Sequence, residues 1–275
     1  MIKQNHSRPW QPTHFIRVTF AVHLWFLLML IVYPTHWQWV VGALIANHLA
    51  IMLIGLWPRS HWLGQNWTRL PAAAIARNEI ALTIDDGPDP VVTPQVLDIL
   101  DKHRVKATFF CIGIKALKYP DLCREIVRRG HAIENHSQQH RHNFSLLGLA
   151  GFTRELEAAQ NTLSTITGQT PQFFRAPAGL RNPFLEPILA KLGLRLVSWS
   201  VRAFDTRVSN VDNVKNKLLS GLQPGVILLL HDGNAARSTD NIPVLIAVLP
   251  TVLAAAKTLK LNFVTLRQAD DQSIS

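Results

Sequence analysis

The chain has 275 residues, 28 Lys and Arg against 18 Asp and Glu, and a net charge of +10, although only 17% of it is charged. A hydrophobic fraction of 48% excludes a disordered chain, a collagen-like chain and a highly charged nucleic-acid tail. Two cysteines, Cys111 and Cys123, are too few for a disulfide scaffold or for a zinc site built mainly from thiolates, and both are expected to be reduced.

Charge divides the chain near residue 78. Residues 1–77 hold six basic residues (Lys3, Arg8, Arg17, Arg59, Arg69, Arg77) and no acid, and they carry seven of the eight tryptophans. The remainder sets 22 basic residues against all 18 acids. Within the first part, two uncharged apolar runs predict membrane-spanning helices over about 15–33 and 39–57, with Arg17 snorkelling outward from the first. Pro34 and Pro58 end the runs, and Tyr33, Trp37, Trp39 and Trp57 lie at their ends, where an aromatic belt belongs. A pair of buried soluble helices should show a polar face, and these runs offer only His23, Asn47 and His48. A cleavable signal peptide should be followed by small residues, yet a second apolar run follows Tyr33 instead. His6, His14, His36 and His61 read as interfacial residues. The connection 34–38 lacks Lys and Arg while both outer flanks are basic. Positive-inside bias therefore places both ends, and the domain after them, in the cytoplasm. The expectation is a multi-pass protein of a bacterial-type inner membrane, with 59–78 as a short linker to a catalytic domain over 78–275.

From residue 79 onward, β-rich apolar runs alternate with amphipathic helical patterns. Strands are predicted at 80–84, 107–112, 132–135, 172–175, 195–199, 226–230 and 262–265. Helices are predicted at 93–102, 120–129, 151–167, 184–191, 211–221 and 243–259. Thr93 before Pro94 has the form of an N-cap, and Gly130, Gly168, Gly193 and Gly221 stand where helices should stop. Such alternation implies a parallel sheet with crossover helices, open or closed.

In folds of this kind function collects at the C-terminal strand ends. Polar clusters fall there: Asp85-Asp86-Gly87-Pro88, then Asn135-His136-Ser137 with His140, then Arg175-Ala176-Pro177-Ala178-Gly179, then Asp205, then His231-Asp232-Gly233. Adjacent carboxylates repel, and a divalent cation relieves the repulsion. His136 and His140 are four apart, a spacing that puts two imidazoles on one face of a helical turn. Two histidines and one carboxylate form a common metal set, which leaves the second carboxylate free as a base. His103, His131 and His142 read as surface or supporting residues, and Arg128, Arg129, Lys115 and Lys118 as solvated faces.

Four motifs in order resemble the polysaccharide deacetylases of the NodB-homology type (carbohydrate esterase family 4). They are Thr83-Ile84-Asp85-Asp86-Gly87-Pro88, His136-Ser137-Gln138-Gln139-His140, Arg175-Ala176-Pro177-Ala178-Gly179 and Leu228-Leu229-Leu230-His231-Asp232, and the likeness covers about 79–266. The resemblance implies a distorted (β/α) barrel of about seven parallel strands. It implies Asp85 as catalytic base, His231 as general acid, Arg175 tuning Asp85, and Asp205 holding His231 protonated. Asp86, His136 and His140 would hold one divalent ion: zinc, or cobalt, manganese, nickel or iron. Ala178, Pro177 and Leu229 would form the oxyanion and substrate-binding wall. Ala178 and Thr206 stand where the family often has aromatics, and Arg202 replaces an acid, so the sugar pocket is expected to have thin aromatic walls.

The implied function is a membrane-anchored hydrolase that removes an acetyl or formyl group from an amino sugar in a glycan or glycolipid. Its partners would be the lipid bilayer and an N-acylated amino sugar, one carried on a polyprenyl lipid included, with no nucleic acid and no obligate protein partner. Two alternatives are an exported peptidoglycan or chitooligosaccharide deacetylase and an inactive membrane-tethered glycan-binding protein.

Overall fold

The computed structural model describes residues 7–271, so Lys3 and His6 lie outside the described residues. Its first elements are α1 (His14–Val32) and α2 (Trp37–Gly55), joined through a short 3-10 turn at Pro34–His36. Each has 19 residues, about 28 Å at 1.5 Å per residue, close to a bilayer's hydrocarbon thickness. Thr13 caps α1 by accepting from Ile16 N–H, and its hydroxyl donates to Trp62 O at 2.6 Å. Only 11% of either apolar window is buried, so neither helix is the core of a soluble domain.

The next elements are α3 (Ala72–Ala76), β1 (Glu79–Gly87), α4 (Val92–His103), β2 (Thr108–Cys111), α5 (Gly113–Lys118), α6 (Pro120–Arg128), β3 (Ala132–Asn135) and α7 (Leu149–Thr167). After them come β4 (Phe173–Phe174), α8 (Leu185–Lys191), β5 (Arg195–Leu196), β6 (Val201–Arg202), α9 (Val211–Leu219), β7 (Ile227–His231), α10 (Val244–Thr258), β8 (Asn262–Phe263) and α11 (Leu266–Asp271). The sheet order is β5-β4-β3-β2-β1-β7-β6, every pair parallel, with β8 beside the start of β1. This is the NodB-type half-barrel. All seven anticipated strands form, and β6 is an eighth.

Strand periodicity sorts the side chains of β1. Ile80, Leu82 and Ile84 enter the core beneath α4, α9 and α10, together with Leu228, Leu230, Val248 and Leu249. Ala81, Thr83 and Asp85 face the other way, toward a second cluster that contains Phe110, Phe173, Val197 and Ile227. The first face supplies stability, and the second ends in the site.

Three local expectations need correction. Thr93 does not cap α4: the helix starts at Val92, and the Asp89 carboxylate receives Val91 N–H and Val92 N–H. Thr93 instead donates to Asp232 from a buried position, at 2.5 Å. His131 is a buried core histidine, whose Nδ1 accepts from Ala107 N–H at 3.1 Å. Burial pushes its pKa down to about 4. Finally, the stretch expected to be a linker is packed against the catalytic fold. Trp67 forms a parallel bridge with Val197 and stacks on Phe173 at 5.3 Å. Trp67 N–H donates to Leu196 O, and Ser198 N–H donates to Trp67 O, so this strap lines the open edge at β5.

Candidate active site

Neighbouring residues in a strand normally point to opposite faces, so Asp85 and Asp86 should diverge. A register break between Asp85 and Gly87, with Asp86 at φ 71°, turns both carboxylates to one side. Lys115 holds this bulge by donating to Asp86 O at 2.7 Å, so it is no solvated residue. Parallel pairing sets His231 on β7 directly beside Asp85.

His136 and His140 also converge, but not on a helical turn. Ser137 (φ 65°) and His140 (φ 50°) are left-handed, and the segment is a loop. Side chains replace the missing ladder: Asn135 receives Ser137 N–H, Ser137 Oγ receives His140 N–H, and Glu155 receives the N–H groups of Gln138 and Gln139. The result sets Nε2 of each histidine 3.2 Å from Asp86 Oδ1.

Those distances fit a metal site. Ligand atoms about 2.0–2.1 Å from one tetrahedral centre lie about 3.3 Å from each other. The three donor atoms of Asp86, His136 and His140 all fall within 4.8 Å of one another. His136 Nδ1 meets Arg175 O at 2.8 Å, which fixes its proton there and leaves Nε2 free as a ligand. Burial opposes charge on Asp86, but the two imidazoles outweigh it and hold the carboxyl well below the usual carboxylate range. Asn234 donates to its other oxygen at 3.3 Å.

Asp85 is held differently. Its Oδ1 accepts from Arg175 Nη1 at 2.7 Å, while Oδ2 faces His136 Nε2 at 3.9 Å. Arg175 is 1% exposed, and its other donors go to Thr83 Oγ1, Val197 O and Ser198 O. Its guanidinium lies 4.2 Å from the Phe110 ring centroid. Arg175 is thus a positioning residue, fully engaged and turned away from the cavity.

Across from Asp85, His231 Nδ1 meets Asp205 Oδ1 at 2.9 Å, and His231 N–H donates to Asp205 Oδ2 at 2.8 Å. Burial favours the neutral ring, but the Asp205 hydrogen bond and charge outweigh it and raise the His231 pKa. Asp232, fully buried behind, is pushed up to about 7, chiefly by burial.

Asp85, Asp86, His136, His140 and His231 line one cavity of about 260 Å³ with Ala178, Leu229, Trp199, Arg202, Thr206 and Arg207. Leu229 is buried and lines the cavity, and Ala178 is exposed at its wall. Pro177 is buried in the turn that carries Ala178 and does not line the cavity. Trp199 restores an aromatic wall that motif reading had expected to be thin. Motif reading also missed Lys115 and Asn234 as supports of Asp86. Their positions just past β2 and β7 were the available signal.

Comparison with known proteins gives the family. The family model "Polysaccharide deacetylase" matches residues 74–197. A chitooligosaccharide deacetylase of Azorhizobium caulinodans is 42% identical over 167 residues, which cover 59% of this chain and 78% of the relative. A peptidoglycan-N-acetylglucosamine deacetylase of Bacillus cereus is 32% identical over 215 residues, covering 76% of this chain and 75% of the relative. The crystal structure of the Bc1960 peptidoglycan N-acetylglucosamine deacetylase superposes with a TM-score of 0.67 at 29% identity, covering 74% of this chain and 92% of that one. The chain belongs to the polysaccharide deacetylase family, carbohydrate esterase family 4. Within that class it is a deacetylase, a hydrolase of non-peptide carbon–nitrogen bonds.

Proposed function

We propose that this protein is a membrane-anchored, metal-dependent deacetylase that removes an acetyl or formyl group from an amino sugar presented at the bilayer surface. One observation carries the reading: the active-site turn abuts the end of α2. Arg181 N–H donates to Gly55 O at 3.1 Å, and Ser198 Oγ donates to Pro58 O at 2.6 Å. The Cβ missing from Gly179 would lie 2.6 Å from both Pro58 Cβ and Trp199 Cη2. A span-length apolar helix therefore ends against the wall of the catalytic cavity. Exposed apolar surface as extensive as that of α1 and α2 calls for a bilayer around it.

Asp86, His136 and His140 would hold the divalent ion. Bound there, the ion supplies Lewis acidity toward the amide oxygen and toward water. Asp85 Oδ2, the oxygen not engaged by Arg175, takes a proton from the attacking water. His231, kept protonated by Asp205, gives a proton to the departing sugar amine. The Ala178 N–H at the cavity wall supports the oxyanion.

The relatives' names point to N-acetylglucosamine units in oligosaccharide or peptidoglycan. The charge bias of the hairpin favours a cytoplasmic domain, out of reach of peptidoglycan, and so a polyprenyl-linked amino sugar. Each Lys or Arg near an anionic leaflet adds about 1 kcal/mol of attraction on that side. Reporter fusions at the C-terminus test the orientation. Alkaline phosphatase should be inactive there and a cytoplasmic fluorescent protein bright. The reverse pattern would make the domain periplasmic and a cell-wall glycan the better substrate.

A further inference from the structure

A second cavity of about 510 Å³ adjoins the catalytic one, and the two share Trp199 and Arg202. It leads from the reaction centre to Trp57 and Pro58, just past the end of α2. Its lining includes three cations, Arg59, Arg202 and Lys217, and no carboxylate. None of the three forms an ion pair among the described residues. Such a groove concentrates anions.

Arg202 is the most specific feature. It lies between the rings of Trp199 and Phe204, with Cζ 5.2 and 5.0 Å from their centroids. Its Nε is buried and without a hydrogen-bond partner. The Arg202 side chain is half-buried, lines both cavities and donates no hydrogen bond among the described residues, so its terminal nitrogens can meet an anion in the groove. Arg207, at the rim of the catalytic cavity, adds a further positive charge nearby, which opposes that of Arg202. Asp85, Asp86 and Asp205 act on Arg202 through space, with no hydrogen bond or ion pair to it among the described residues.

We infer that this groove is the subsite for the phosphate of a lipid-borne glycosyl phosphate, with Arg202 as its principal anchor. The sugar then occupies the catalytic cavity, the phosphate meets Arg202, and the lipid leaves past Trp57 toward the bilayer. Continuity with the end of α2 favours this occupant over a soluble sugar phosphate. The inference rests on the membrane-surface reading above and adds a substrate class to it.

The test uses full-length protein in non-ionic detergent and two probes, farnesyl N-acetylglucosaminyl phosphate and the uncharged farnesyl N-acetylglucosaminide. Binding is followed by tryptophan fluorescence and hydrolysis by acetate release. The phosphate probe should bind at least about tenfold tighter, the scale of one charge-assisted hydrogen bond. Arg202→Ala should remove most of that preference and Arg202→Lys should restore part of it. The Arg59→Glu/Lys217→Glu double variant should lower the preference while the melting temperature stays near wild type. Equal binding of the two probes by wild type, or a preference unchanged in these variants, overturns the subsite. Tight binding of the phosphate probe with no acetate released from either would leave the subsite standing and overturn the N-acetyl sugar reading. A third probe, N-acetylglucosaminyl phosphate without a lipid, should bind more weakly than the farnesyl form, and equal affinity overturns the lipid assignment.

Discussion

Replacing Asp205 by Asn tests the acid side of the chemistry. The carboxylate makes two hydrogen bonds to His231, at 2.9 Å to Nδ1 and 2.8 Å from the backbone N–H. Asn preserves the shape, removes the charge, and turns an NH₂ toward one of two donors. A charge-assisted hydrogen bond is worth about 1.5–3 kcal/mol, so losing the charged partner should lower the pKa of His231. The sign follows from the direction of the native shift. Asp205 raises the pKa of His231, and with His231 as the proposed general acid the basic limb of the pH–rate profile should move to lower pH. The acidic limb, set by groups on the other side of the cavity, should move much less. The assay is kcat against pH for acetate release from an N-acetylated glycoside, with bound metal measured in parallel. A basic limb at its wild-type position, with metal content intact, would refute the Asp205–His231 link.

Further outcomes follow from the same geometry. Asp86→Ala, His136→Ala and His140→Ala should each lose the bound divalent ion by elemental analysis, and a chelator should abolish wild-type activity until metal is restored. Arg175→Met leaves the Asp85 carboxylate buried without its cation, so unfolding should become easier by about 3–5 kcal/mol. A change below about 1 kcal/mol, the scale of an exposed pair, would contradict that burial argument. Gly179→Ala places a Cβ against Pro58 and Trp199 at a residue with φ 76°. Because a misplacement of about 1 Å can cost about a hundredfold, kcat should fall by about 10–100-fold while metal stays bound; wild-type kcat would show that the turn tolerates displacement.

Much of this was legible in the residues because the strand ends carry both the β-propensity and the chemistry. The run at 132–135 is β3 to the residue. Strand β5 stops at Leu196, where the Trp67 strap takes over the pairing at Leu196 and Ser198. Segment α5 has six residues, under two turns, too few for a helical pattern to repeat. The convergence of Asp85 and Asp86 could not be read from their adjacency, which in a regular strand would separate them. It depends on one positive φ and on a lysine 29 positions away. Likewise the i,i+4 histidines meet through a side-chain-bonded loop, with Glu155 on α7 as its clamp. The docking of the 57–67 strap onto the cavity wall pairs side chains with backbone far away in sequence, such as Ser198 with Pro58 O, which local patterns do not reveal.

The account stands most directly on one measurement: acetate released, against free amine formed, when purified full-length protein with its metal acts on an N-acetylglucosamine-bearing lipid in detergent. One acetate should appear per amine in wild type. Asp85→Asn should abolish both while metal content remains near one ion per chain. Undiminished release from Asp85→Asn would contradict the role of that carboxylate, and no release from wild type with metal bound would contradict the reading as an N-acetyl amino-sugar deacetylase.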